Sequence, residues 1–244
     1  MSFRLAGIAG GCGAGVALVA GLGGCNLVAG LNDYQVGSGS GGSTASQSTS
    51  SSTSAGGGGS CGSPVVVPID ANADVKSLLP NQNGGSDQTF SVHLVGGTSE
   101  VHALFLASGL HEAALGKNRA ELCVQHASPA AGVGTGVVGA FEVSLAWNEA
   151  EVTWNVASGG VSWTLPGGDY EATPLDAVSI DGQADAETEK CWDVTSYAEK
   201  VAGAGTSDRG IILVPTGTNF TAVFFADDAT NPIVRPVFKL WACP

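Results

Sequence analysis

Residues 89–107 read TFSVHLVGGTSEVHALFLA, and two patterns inside this stretch decide the fold class. In TFSVHL, Phe90, Val92 and Leu94 alternate with Ser91 and His93, the period-two pattern of a strand with one buried and one wet face. In VHALFLA both faces are apolar, as in a strand from the middle of a sandwich. Outward from here the chain repeats short β-prone runs: AELCV, VVGAFEVSL, EVTW, KCWDV, GIILVP, FTAVFFA and PVFKLW. Gly, Pro, Asn and Asp separate them, many at about ten-residue spacing, which predicts an all-β sandwich or barrel. Helical signal is sparse. DVTSYAEKVAGAG is the best case, with Thr195 expected to cap one or two turns that end at Gly203.

Composition agrees with a β-rich, extracytoplasmic protein. The 244 residues are 43% apolar, include 37 Gly and only one Met, and are only 13% charged, so Ser, Thr, Asn and Gly must dress the surface. The formal charge of −13 with nine Lys and Arg excludes a nucleic-acid partner, because counterion release needs a basic face.

Residues 1–24 carry a single cation, Arg4, and then the apolar, Gly-rich run LAGIAGGCGAGVALVAGLGG. That run has the length of a signal-peptide hydrophobic region and is too rich in Gly for a comfortable membrane span. LGGC, residues 22–25, resembles the lipobox of bacterial lipoproteins. The resemblance implies cleavage before Cys25, acylation of its sulfur (palmitate or a similar chain) and a mature chain that begins there. Asn26 stands where an inner-membrane retention signal would place Asp, so the expected location is the outer membrane, with Cys25 holding the lipid bilayer. Two or three acyl chains anchor firmly where one does not. From Gly37 to Ser60 every residue is Gly, Ser, Thr, Ala or Gln, a composition that cannot bury a core. Residues 25–60 therefore read as a disordered tether with an r.m.s. span of roughly 25–30 Å, and residues 61–244 as one folded head.

The chain has six cysteines, of which Cys12 lies in the leader and Cys25 in the lipobox. Cys61, Cys123, Cys191 and Cys243 remain, and four cysteines allow three pairings. Cys61 and Cys243 sit at the two ends of the head. Cys123 and Cys191 alternate with Leu122/Val124 and Trp192/Val194 and so look away from the core, where a bridge between neighbouring strands is possible. The favoured pairing is 61–243 with 123–191. Zinc is the rival, and no CxxC or His-rich spacing supports it.

AWNEAEVTWN (residues 146–155), CWDVTSYAEKVAGAG and GIILVP resemble the W-x-E-x-x-V-T-W, D-V-T and G-hydrophobic segments of DNRLRE domains, a family related to carbohydrate-binding module family 96. ANADVKSLLPNQNGGS (residues 71–86) is similar to the family's opening strand and Pro–Asn–Gly turn. The resemblance spans residues 69–241 in order. It implies a jelly-roll sandwich serving as a non-catalytic surface module, often towards polysaccharide. Two features depart from it: His102 stands where the family has arginine, and the name-giving hexapeptide is absent.

Sugar rings stack on aromatic faces. Trp147, Trp154, Trp192 and Trp241 lie in strand-like or family-like segments and read as core. Trp163 and Tyr170 fall in the Gly/Pro-rich GGVSWTLPGGDYEATP, a loop expected to leave them exposed, and they are the candidate ligand-binding pair. Asp169, Glu171, Asp176, Asp181, Asp185, Glu187 and Glu189 form an acidic run that offers calcium a possible site, although the spacing fits no EF-hand loop. Asp227 and Asp228 are a smaller pair read as a turn. His93, His102, His111 and His126 are scattered, read as surface or edge residues, and accompany no HExxH or GxSxG, so no catalytic residue is assigned.

Overall fold

A computed structural model describes residues 60–127, 132–203, 207–216 and 219–244. The leader, Cys25 and the tether up to residue 59 lie outside the described residues. None of the described helices is long and apolar enough to cross a membrane.

The strands are β1 (Val65–Pro68), β2 (Ala71–Lys76), β3 (Thr89–Val95), β4 (Ser99–Leu106), β5 (Arg119–Gln125), β6 (Thr135–Glu142), β7 (Val156–Ser158), β8 (Val161–Ser162), β9 (Asp176–Asp181), β10 (Glu189–Asp193), β11 (Ile211–Pro215), β12 (Phe220–Phe225) and β13 (Val237–Trp241). Two short helices, α1 (Leu110–Ala114) and α2 (Thr195–Ala202), accompany them. One sheet runs β1-β13-β5-β10, and the other runs β12-β3-β4-β11-β6-β9 with β2 also paired to β4. All the pairings are antiparallel. If β2, β3, β12 and the small β7–β8 hairpin are set aside, eight strands remain. The first, last, third and sixth of these form one sheet, and the second, seventh, fourth and fifth form the other. That interleaving is the jelly roll, two Greek keys closed face to face.

The alternation read from the sequence sets the inner faces. Phe90 and Val92 of β3, Leu122 and Val124 of β5, Trp192 of β10 and Phe238 and Leu240 of β13 meet in one core between the sheets. Trp192 is fully buried, and its indole N–H is satisfied by the carbonyl of Val138 at 2.8 Å. Trp241 is only partly buried instead of being core, because it lies on the outer face of β13 with the Arg119 guanidinium 4.8 Å above its ring.

The helix expected from DVTSYAEKVAGAG forms and stops at Gly203, with a different cap. Thr195 is already inside the helix, and its backbone N–H donates to the Asp193 carboxylate at 2.9 Å. The Thr195 hydroxyl instead accepts from the backbone N–H of Ala120 at 3.0 Å, tying the helix to β5.

Both expected disulfides are present. Cys123 and Cys191 face each other across the β5–β10 pair, on the side opposite Leu122 and Val124. Cys61 and Cys243 join the ends of the head across 182 residues. Chain-entropy arguments assign the larger effect to the bridge that closes the longer loop. Replacing Cys61 and Cys243 by Ser should cost roughly 2–5 kcal/mol in urea unfolding, and replacing Cys123 and Cys191 should cost less. The reverse order would contradict this account.

Candidate functional site

Between β6 and β9 the chain makes a long excursion over the outer face of the second sheet. Ala73, Val75, Leu104, Phe141, Val143, Ile212 and Val214 present a second apolar face there, and Val152, Ala157 and Trp163 of the excursion cover it. Trp163 is 6% exposed, with its indole N–H donating to the Thr153 carbonyl at 3.0 Å. Tyr170 is half-buried, 5.0 Å from the Phe141 ring and 6.3 Å from the His102 ring. The expectation that this Gly/Pro-rich loop leaves its aromatics in solvent is thus corrected. The loop makes a core of its own, and its glycines are the means. At Gly167 (φ +96°) a Cβ would come within 2.7 Å of the Trp154 ring, so only glycine lets the backbone lie on that indole. Trp147 donates to the Arg209 carbonyl at 3.0 Å, and Trp147 and Trp154 pack on this same second core. Among the described residues no tryptophan is fully exposed.

The family-like segments meet each other here. Asn83, in the turn after β2, donates through Nδ2 to the carbonyls of Glu149 at 2.6 Å and Val152 at 2.8 Å. Behind it, a Cβ on Gly85 would sit 2.5 Å from the Glu149 carbonyl. Asn83 and Gly85 therefore clasp the start of the excursion.

The histidines are not all peripheral, contrary to their reading as surface or edge residues. His102 is buried on the outer face of β4, with Nδ1 2.8 Å from the Gly167 carbonyl and Nε2 2.8 Å from Glu100, whose carboxyl this contact holds below its usual range. His126 is fully buried against Phe224. His111 bonds the Val201 carbonyl, and His93 bonds the Ser99 hydroxyl at 2.9 Å.

The acids divide into two kinds. Those of the 169–189 run are taken up by their own backbone. Asp169 accepts from the N–H groups of Thr164 and Leu165, both at 2.9 Å. Asp181 accepts from Ala184 and Gln183, which hold its carboxyl below the ordinary range. Asp185 accepts from the Asp181 N–H and pairs with Lys190 at 2.7 Å, and Asp176 accepts from Ala177 and Asp193. These four carboxylates close turns and loops, so the run does not converge on a common centre for calcium. The closest grouping of possible ligand atoms among the described residues, Glu121 with Cys123 and Cys191, includes two sulfurs already joined to each other.

The second kind lies where the loop after β12 crosses the start of β2. Glu149 accepts the backbone N–H of Asn72 at 2.8 Å, and the Asn72 side-chain oxygen accepts the N–H of Asp227 at 3.3 Å. Burial pushes the Asp227 carboxyl up to about 6, with the negative charges of Glu149 and Asp228 adding to it. Glu149 is also raised, by burial first and by Asp228 and Asp70 beyond what the Asn72 N–H offsets. The same loop then walls a pocket of about 250 Å³ lined by Gln88, Thr89, Phe225, Ala229, Thr230, Asn231 and Val234. Phe225, Ala229 and Val234 are its apolar, buried or half-buried lining, while the exposed Gln88, Thr89, Thr230 and Asn231 add amides and hydroxyls. The rim is organised: the Thr230 hydroxyl lies 3.0 Å from the Gln88 side-chain oxygen, and Asn231 caps the 3-10 turn Pro232–Val234.

Asp227 and Asp228 do form the turn expected of them, closed by the Ala229 N–H on the Ala226 carbonyl at 3.1 Å, whereas the pocket beside it carries no sequence signal. Residues from β3, β12 and the following turn share no periodicity that would have marked them as one surface. No family model matches this chain, and no curated protein matches it.

The raised Asp227 carboxyl has a pH consequence. In the folded state it keeps its proton between 3.8 and about 6, where the unfolded chain has released it, so its contribution to stability falls as pH rises through that window. In a chelator, Asp227→Asn should raise the thermal midpoint at pH 7 and leave it unchanged near pH 4. An equal effect at both pH values would show that the carboxyl is not perturbed.

Proposed function

We propose that this protein is an outer-membrane lipoprotein, anchored through acylated Cys25, that carries a non-catalytic carbohydrate-binding module of the DNRLRE type. Its ligand is a cell-wall or extracellular polysaccharide. The observation that carries this reading is the pocket beside β12: an apolar floor under amide and hydroxyl groups is the chemistry that holds a sugar ring by its face and its hydroxyls. Its volume of about 250 Å³ is below that of drug-sized sites and suits one ring or a chain end. The site moves from the Trp163/Tyr170 pair to Phe225, Gln88, Thr89 and Thr230, since Trp163 is buried and Tyr170 packs on Phe141. No catalytic role enters the reading.

A second reading, a structural or adhesive surface module that contacts proteins and has no sugar site, is favoured by one observation. Among the described residues every tryptophan is buried or partly buried, which leaves less aromatic surface for a sugar ring to stack on.

Affinity electrophoresis of the protein against neutral and amino-sugar polymers separates the two. The first reading expects retardation by at least one polymer, weakened about tenfold by Phe225→Ala and less by Gln88→Ala, with Trp163→Phe neutral. Retardation by none supports the second. The anchor has its own test: labelled palmitate should enter the wild-type chain in cells and not Cys25→Ser, and equal labelling of both would remove the lipoprotein reading.

A further inference from the structure

The two amides that line the pocket beside β12 have spent their oxygens and kept their hydrogens. Asn231 Oδ1 accepts the backbone N–H of Ile233 at 3.1 Å, which fixes the orientation of that amide, because an N–H needs an oxygen opposite it. Gln88 Oε1 accepts the Thr230 hydroxyl at 3.0 Å. A side-chain amide has one acceptor oxygen and an NH2 with two donors. Among the described residues neither Gln88 Nε2 nor Asn231 Nδ2 donates to a protein group, so both NH2 groups remain for a ligand.

The rest of the lining is complementary to that pair of donors. The Thr230 hydroxyl has given its hydrogen to Gln88 and keeps lone pairs, and Thr89 of β3 brings a second hydroxyl from the position directly across from Phe225. Phe225, Ala229 and Val234 supply the apolar part, and no charged side chain lines the pocket. An ammonium or a carboxylate placed there would be desolvated without a counter-charge, so the group it takes is neutral. Sugar hydroxyls donate and accept alike and gain nothing special from spare N–H groups. A carbonyl oxygen only accepts, and in a neutral sugar derivative the carbonyl with an N–H and a methyl beside it is the acetamido group.

Resting on the reading of this pocket as the sugar site, we propose that it selects N-acetylated amino sugars. Gln88 Nε2 and Asn231 Nδ2 donate to the acetamido carbonyl, a threonine hydroxyl accepts its N–H, and its methyl lies against Phe225, Ala229 and Val234. A plain hexose lacks both the carbonyl and the methyl. A deacetylated amino sugar brings an ammonium to a lining without an acid. The volume of about 250 Å³ admits one such residue. The Asn231 donor is held ready before any ligand arrives, since its own oxygen caps the 3-10 turn Pro232–Val234. A polar group fixed in this way discriminates strongly, because an analogue without the matching atom leaves it unpaired.

Methyl NMR of the protein, titrated separately with N-acetylglucosamine, glucosamine and glucose, tests the selection. The Ala229 and Val234 methyl signals should shift with N-acetylglucosamine at concentrations about tenfold or more below those that glucose or glucosamine requires. Asn231→Asp keeps the oxygen that caps the turn and removes the donor, and Gln88→Glu keeps the oxygen that Thr230 bonds. Each should weaken N-acetylglucosamine binding several-fold with an unchanged thermal midpoint, which separates loss of a contact from loss of the fold. The proposal is overturned if the three sugars act alike, if N-acetylglucosamine moves neither methyl, or if both substitutions leave the preference intact. Retardation by glucose polymers with no response to N-acetylglucosamine would sink the selection and keep the polysaccharide reading. A pocket response to N-acetylglucosamine with retardation by no polymer would do the reverse.

Discussion

Strands β4, β11 and β6 carry apolar side chains on both faces, so the sheet they build has to be covered twice. Leu104 and Phe105 are both fully buried although they point to opposite sides, and so are Leu213 and Ile212. The inner side is closed by the first sheet, whose Trp192 and Phe238 reach across to it. The outer side is closed by the excursion between β6 and β9, which brings Val152, Ala157 and Trp163 down onto Ala73, Val75 and Ile212. Leaving either side bare would expose large aliphatic and aromatic surface at about 25 cal/mol per Å², a sum comparable with the net stability of a whole domain.

That covering requirement places the polar groups as well. Because the excursion must start at one rim of the sheet, its first turn falls beside the turn after β2, where Asn83 and Gly85 fasten it. The fastening leaves Glu149 against the backbone of Asn72, and Asn72 in turn holds the first residues beyond β12. The same geometry buries His102, which keeps both ring nitrogens bonded to Gly167 and Glu100. A module that covers its own outer sheet face in this way gives up that face as a ligand platform. Its rim is where the loop after β12 shapes a pocket on one side and brings Asp227 beside Asn72 on the other.

The strands of the head were legible because their faces differ. Phe90 and Val92 against Ser91 and His93 state in one dimension which side is buried, although Leu94 is only partly buried and Cys123, on the face opposite Leu122 and Val124, is itself 1% exposed. The cross-strand disulfide followed from the same alternation, and the outer disulfide from two cysteines at the ends of one compact unit. Trp163 was misplaced because loop composition was taken as a statement about exposure. Gly and Pro say how the backbone bends and not what lies beneath it. Thr195 was misplaced as a cap because Asp193 competes for the same helix end, and β5 supplies the threonine hydroxyl with another partner.

What the chain determined by itself is therefore the class of the head, its strands and its cross-links, since period-two alternation and cysteine position act locally. What only the tertiary structure decided is which residues share a surface. Asp227 meets Asn72 across 155 positions, and Glu149 meets the same residue across 77. The carboxylates of Asp169 and Asp181 meet N–H groups of their own loops, within five residues along the chain. Glu149 meets the Asn72 N–H only because the excursion packs beside β2. Neighbours in the chain decide the first kind of contact, and packing decides the second.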